Sequence, residues 1–217
     1  MQRMKVYFIP GLGADKRVFH HIRLPEPLEI VHLEWLKPAK GEPLVQYAHR
    51  MAEQINTDEP FSLVGLSFGG MLATEISLVK TPRHTVLISS IAHPSQLPVY
   101  YKITRPLQLH RVIPMALFKK ASLAKRLFTT ETAEDKALLR RIIDESDTDF
   151  LRWALGAILE WRQEGNPGAL FHIHGTADRL LPFSKVRPTH TIKGAGHLMV
   201  MNRADEVNNI LIEILTS

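Results

Sequence analysis

Short continuous apolar runs alternate with longer segments of helical spacing along the chain. Lys5 to Ile9, Glu29 to Trp35, Phe61 to Leu66, Thr85 to Ser89, Ala169 to His174 and Thr189 to Ile192 read as strands. Between them, apolar residues recur at helical intervals. Leu44, Ala48, Met51, Ala52 and Ile55 form one such stripe, and Phe68, Met71, Leu72, Ile76 and Val79 a second. Val207, Ile210, Leu211 and Ile214 form a stripe near the C-terminus, with Asn202 positioned to cap that helix and Asp205 in its first turn. Strands without a polar face, separated by amphipathic helices, predict an α/β fold. Its sheet is mostly parallel, has about six strands and is covered by helices on both faces.

One stretch breaks the rhythm. Ile91 to Asn166 contains no convincing strand, only Pro-punctuated segments and helical stripes. Leu138, Leu139, Ile142 and Ile143 make one stripe; Phe150, Leu151, Ala154, Ile158 and Trp161 make another. A parallel crossover needs only about a dozen residues, so this length predicts a helical cap inserted over the sheet edge. The alternative is a further helical layer of the same core. The expected division is therefore a core of residues 1–90 and 167–217 and a cap of residues 91–166.

Composition narrows the classes. With 45% hydrophobic and 23% charged residues, the 217-residue chain can build a sizeable core, which excludes a largely disordered chain. No uncharged apolar run approaches the roughly 18–20 residues of a membrane span. The weakly basic start, Met1 to Lys5, precedes an apolar run too short for a signal peptide. The absence of cysteine excludes disulfides and Cys-ligated metals, and fits a reducing, cytoplasmic setting. The net charge of +5 is spread out; its densest group, Lys119-Lys120 with Lys125-Arg126, comes with no nucleic-acid motif. Neither a nucleic-acid nor a membrane partner is expected.

The chemistry concentrates at three places. Gly65-Leu66-Ser67-Phe68-Gly69-Gly70 lies between an apolar strand and an amphipathic helix. That is G-x-S-x-G in the strand–turn–helix setting of a nucleophile elbow. Glycines two before and two after the serine remove side chains that would clash in so tight a turn. The competing reading is a serine that merely caps a helix. A serine hydroxyl is a weak nucleophile and needs a base and an orienting acid. Phe171-His172-Ile173-His174-Gly175-Thr176-Ala177-Asp178 delivers an aspartate past a strand end, and Lys193-Gly194-Ala195-Gly196-His197 delivers a histidine past the last strand. The order Ser67, Asp178, His197 is that of hydrolases built on this elbow. Asp178 as a turn residue and His197 as a surface histidine are the plain alternatives. His172 and His174 read as buried, hydrogen-bonded histidines rather than a metal pair, because no third ligand is evident. The turn Ile9-Pro10-Gly11-Leu12-Gly13 has neither dinucleotide nor Walker spacing. It can aim backbone N–H groups at the serine; the oxyanion hole would use those of Phe68 and Leu12.

These motifs resemble the α/β-hydrolase superfamily over nearly the whole chain. The resemblance rests on the Pro10 to Gly13 turn, Gly65 to Gly70, His174 to Asp178 with Pro182 following, and Gly194 to His197. It implies Ser67 as nucleophile, His197 as base and Asp178 as acid, with no cofactor and no metal. Pro10-Gly11 stands where many members have His-Gly, and the first strand corresponds to the family's third. The expected activity is hydrolysis of a small carboxylic ester, thioester or lactone. A cofactor-free lyase or a small-molecule receptor on the same fold is the alternative. Tyr100, Tyr101, Met115, Phe118, Trp153 and Trp161 are the aromatic and Met candidates for an apolar pocket above the serine.

Overall fold

A computed structural model describes residues 3–99, 101 and 131–217. Its strands are β1 (Met4–Ile9), β2 (Leu28–His32), β3 (Phe61–Leu66), β4 (Thr85–Ile88), β5 (Phe171–Gly175) and β6 (His190–Ile192). They form one sheet in the order β2-β1-β3-β4-β5-β6, with every pair parallel. Among the described residues the helices are α1 (Leu44–Ala52), α2 (Phe68–Val79), α3 (Ala133–Glu145), α4 (Thr148–Glu160), α5 (Met199–Asn202) and α6 (Ala204–Leu215). A 3-10 turn, Lys16–Phe19, follows β1.

Parallel strands buried on both sides need apolar side chains on both sides. In β1, Tyr7 and Ile9 join one core cluster while Val6 and Phe8 join the other. In β3, Phe61 and Leu63 face the first cluster and Val64 and Leu66 the second. The first face is covered by α1, α2 and α4, and the second by α5, α6 and the 3-10 turn. Each fully buried Leu, Ile or Phe contributes about 1.5–3 kcal/mol by leaving water.

The strand expectations hold, with shifted ends. β2 stops at His32 rather than Trp35, and β5 begins at Phe171 and includes Gly175. The α1 stripe is buried as expected. Val79 departs from the α2 stripe: it is 47% exposed, because it ends the helix beyond the reach of the sheet. Asn202 does not cap the final helix. It closes α5, its Oδ1 accepts the Glu131 N–H at 3.2 Å, and Arg203 stands at the start of α6 without a side-chain cap. Asp205 does lie in the first turn of α6.

Within residues 91–166, α3 and α4 each begin at a capped N-terminus. Thr132 accepts the Asp135 N–H, and Asp147 accepts the N–H groups of Asp149 and Phe150. Such caps contribute about 1 kcal/mol each. Helix α4 packs directly on the core: Phe150, Ala154, Ala157 and Ile158 join the cluster that holds α1 and α2. The Trp153 ring lies 4.4 Å from that of Tyr47, tilted by 46°, and donates its N–H to the Glu42 carbonyl at 2.8 Å. Lys119, Lys120, Lys125 and Arg126, and with them Tyr100, Met115 and Phe118, lie outside the described residues.

Candidate active site

β3 runs along the middle of the sheet and ends at Ser67, whose backbone is held at φ 53°, ψ −116°. An L-residue adopts that conformation only where its surroundings impose it, at a cost of about 1–3 kcal/mol. Three contacts impose it here. The Ser67 N–H donates to the Ile88 carbonyl at 2.9 Å. The Ser67 carbonyl accepts the Gly70 N–H at 2.9 Å and the Ser90 hydroxyl at 2.6 Å. The glycines around it are required by contact. A methyl at Gly65 would run into the Gly69 carbonyl, and one at Gly69 into the carbonyls of Ile9 and Pro10. That last approach draws the turn after β1 alongside the serine, so that a β-carbon on Gly11 would stand 3.4 Å from Ser67 Cβ.

The serine does not cap its helix. Ser67 makes no side-chain bond to the first turn of α2; its Oγ donates instead to His197 Nε2 at 2.9 Å. His197 Nδ1 in turn donates to Asp178 Oδ2 at 2.8 Å. Asp178 is also a turn residue: its Oδ1 accepts the N–H groups of Leu180 and Leu181, both at 2.9 Å. One carboxylate oxygen shapes the loop and the other meets the imidazole. His197 is 3% exposed and Asp178 4%, so neither is a surface group. Their loops are tied together, since the Ala177 N–H donates to the Ala195 carbonyl and the Gly194 N–H to Thr176 Oγ1. Burial pushes the Asp178 carboxyl up. The adjacent His197 ring and the Leu181 N–H outweigh it and hold the carboxyl below its ordinary range.

His172 and His174 are buried and bonded to each other, Nε2 to Nδ1 at 3.0 Å, as expected. His174 Nε2 donates to the Leu181 carbonyl at 2.8 Å and lies 3.5 Å from Asp178 Oδ2. This pair therefore buttresses the aspartate loop. Burial lowers the pKa of both rings, that of His172 to about 3. The sequence reading did not reach this buttress, nor the part of Ser90. The spacing His172-x-His174-x-x-x-Asp178 was visible, but it does not say which way the rings turn.

Ser67 and His197 open into a cavity of about 120 Å³. Its walls are apolar: Leu97, Tyr101, Leu139, Ile142, Leu151 and Leu198 are among them. Leu12 and Phe68 line it too, and among the described residues neither backbone N–H has an acceptor. Of the expected aromatic lining, Tyr101 reaches the cavity. Trp153 and Trp161 do not; the latter donates its N–H to the buried Glu75 at 2.6 Å. Their indoles turn toward the core because each finds an acceptor there. A more open cleft of about 540 Å³ adjoins the cavity across Gly13, Ala14, Ile142 and Ser146.

The profile of the Alpha/beta hydrolase family matches residues 6 to 210. The chain belongs to that family. Solved structures share the fold at low identity. The enol-lactonase from Burkholderia xenovorans LB400 superposes with a TM-score of 0.76 at 15% identity, covering 100% of this chain and 93% of its own. A thermophilic esterase from Thermogutta terrifontis gives 0.73 at 17% identity, covering 98% and 89%. The type II thioesterase BorB from the borrelidin biosynthetic cluster gives 0.71 at 16%, covering 99% and 93%. No curated protein sequence matches significantly. For this hydrolase-family chain, no helix among the described residues is long and apolar enough to cross a membrane.

Proposed function

We propose that this protein is a serine hydrolase that cleaves a small carboxylic ester, thioester or lactone through an acyl-enzyme. The observation that carries the reading is the unbroken contact from Ser67 Oγ to His197 to Asp178, at 2.9 and 2.8 Å. Ser67 Oγ attacks the substrate carbonyl while His197 Nε2 takes its proton. Asp178 accepts from Nδ1–H, which holds the tautomer and stabilises the imidazolium that forms. The N–H groups of Leu12 and Phe68 receive the oxyanion. The tetrahedral adduct collapses, and His197 returns its proton to the leaving alcohol or thiol. Water, deprotonated by the same ring, then attacks the acyl-serine and releases the acid.

The apolar cavity suits a small hydrocarbon acyl group, and the adjoining open cleft gives the leaving group a way out. In this reading residues 91–166 form the lid, with α3 and the start of α4 as its described roof. The neighbouring lactonase, esterase and thioesterase support acyl transfer as the reaction class without choosing among the three substrates.

The test is multiple turnover on p-nitrophenyl esters, acyl thioesters and lactones. Ser67→Ala is expected to lower kcat by about 10⁴-fold or more. Equal rates for the variant and the wild type would overturn the assignment. Rapid labelling of Ser67 by a fluorophosphonate with no turnover on any of these substrates would move the reading to a lyase or a receptor.

A further inference from the structure

A second cluster lies on the sheet face opposite α2. His20 and His21 follow the 3-10 turn after β1, and Asp135 stands in the first turn of α3. Nε2 of His20 lies 3.0 Å, and Nε2 of His21 3.2 Å, from the same Oδ1 of Asp135. The three atoms all fall within 4.8 Å of one another. With bonds of about 2.0–2.2 Å to Zn²⁺, ligand atoms stand about 3.3–3.6 Å apart in a tetrahedron and about 2.8–3.1 Å apart in an octahedron. The two measured spacings, 3.0 and 3.2 Å, fall between those two edges.

The hydrogen-bond roles point the same way. His20 Nδ1 lies 3.0 Å from the Arg17 carbonyl. A carbonyl only accepts, so Nδ1 carries the hydrogen. The His20 Nε2 then faces the Asp135 carboxylate oxygen. Asp135 is only 3% exposed, so little water reaches that carboxylate. A cation among the three atoms would be bound by both rings and the carboxylate. A backbone carbonyl behind the non-ligating nitrogen is also the usual support of a metal-bound histidine.

We propose that His20, His21 and Asp135 bind one divalent transition-metal ion of the zinc type. Two imidazoles with one carboxylate suit such an ion, whereas calcium and magnesium favour all-oxygen sites. The His20 and His21 side chains are 33% and 43% exposed, so solvent has access to the remaining coordination position. The ion would pin α3 to the turn after β1. Both elements wall the cavity at Ser67, through Leu139, Ile142 and Ile143 on α3 and Val18 on the turn. The site is therefore a clip that sets the position of the pocket roof. It revises the sequence expectation of no metal, and it stands whether or not the hydrolase reading does.

The experiment uses the full chain stripped with a chelator and titrated with Zn²⁺, and with Co²⁺ as a spectroscopic probe. Expected are one ion per chain by calorimetry, visible Co²⁺ ligand-field bands, and a rise in Tm with saturating Zn²⁺. His21→Gln, at a half-exposed position that leaves folding intact, is expected to weaken Zn²⁺ binding at least tenfold and to abolish the Tm rise. Asp135→Asn should do the same, and the exposed His93→Gln should change nothing. Wild-type Zn²⁺ affinity in His21→Gln would overturn the proposal. So would the absence of stoichiometric binding by the wild type.

Discussion

The rim of the sheet at Ser67 and the helical roof over it are held by different forces. At the rim the backbone leaves no freedom. Three glycines are fixed by carbonyls or a hydroxyl within contact distance, the serine is held at positive φ, and the Asp178 and His197 loops are cross-linked by main-chain bonds. In the roof, α3 and α4 are positioned by side chains: Trp153 on Tyr47 and Glu42, Arg17 paired with Glu145, and caps at Thr132 and Asp147. Backbone packed this closely admits no added atom, whereas side-chain packing admits substitution with repacking. In the proposed hydrolase, chemistry would thus sit where the chain is most constrained, and selectivity where it is most changeable.

Substitutions can break that contrast. The largest effect belongs to the rim's chemistry. Asp178→Asn should lower kcat by about 10⁴-fold, because the imidazole loses the partner that fixes its tautomer. The folded state, followed by circular dichroism, should survive. Next is the rim's backbone. Gly69→Ala forces a methyl into the carbonyls of Ile9 and Pro10, and should cost about 3 kcal/mol or more. That corresponds to a Tm lower by roughly 6–12 °C for a chain of this size.

Acid should act on the rim before the roof. His172 is held neutral, with its pKa pushed down to about 3, while the unfolded chain protonates it near its ordinary value of 6.5. Below that value the unfolded state binds the proton and the folded state does not. Stability is therefore complete above pH 6.5 and falls steadily toward pH 3; the lowered Asp178 carboxyl adds to the loss at the acid end. Thermal melts across that range check the slope, which should flatten in His172→Gln if that variant folds.

The roof should respond more mildly. Ile142→Val, one methylene shorter at the cavity wall, should shift the preference between acyl chains by about tenfold in kcat/KM while leaving kcat on the best substrate nearly unchanged. Asp147→Ala, which removes the α4 cap, should cost about 1 kcal/mol, seen as a Tm lower by 2–4 °C. A roof variant that cost as much turnover as Asp178→Asn would erase the distinction.

Much of this was readable from residue order. The strands were, because β3 and β4 carry no polar face and β1 has only Lys5 half-buried. Ser67, Asp178 and His197 were, because each follows a strand and a turn-forming glycine: Gly65, Gly175, and Gly194 with Gly196. The misreadings have local causes. Asn202 looked like a cap because the four-residue α5 before it has too little sequence to announce itself. Which of Tyr101, Trp153 and Trp161 would line the pocket was not legible, because hydrophobicity does not say which side of a helix finds an acceptor. His20, His21 and Asp135 passed unnoticed because their meeting spans more than a hundred residues.

Periodicity and turn chemistry are local, and they were enough to specify a parallel sheet, its covering helices and an elbow carrying a serine. Contacts between distant segments are not local. Packing alone brought the imidazole within 2.9 Å of the hydroxyl, set Ser90 against the strained carbonyl, closed an apolar cavity over both, and gathered two histidines around one buried carboxylate oxygen. Those distances depend on how both faces of the sheet fill at once, and no window of sequence contains that information.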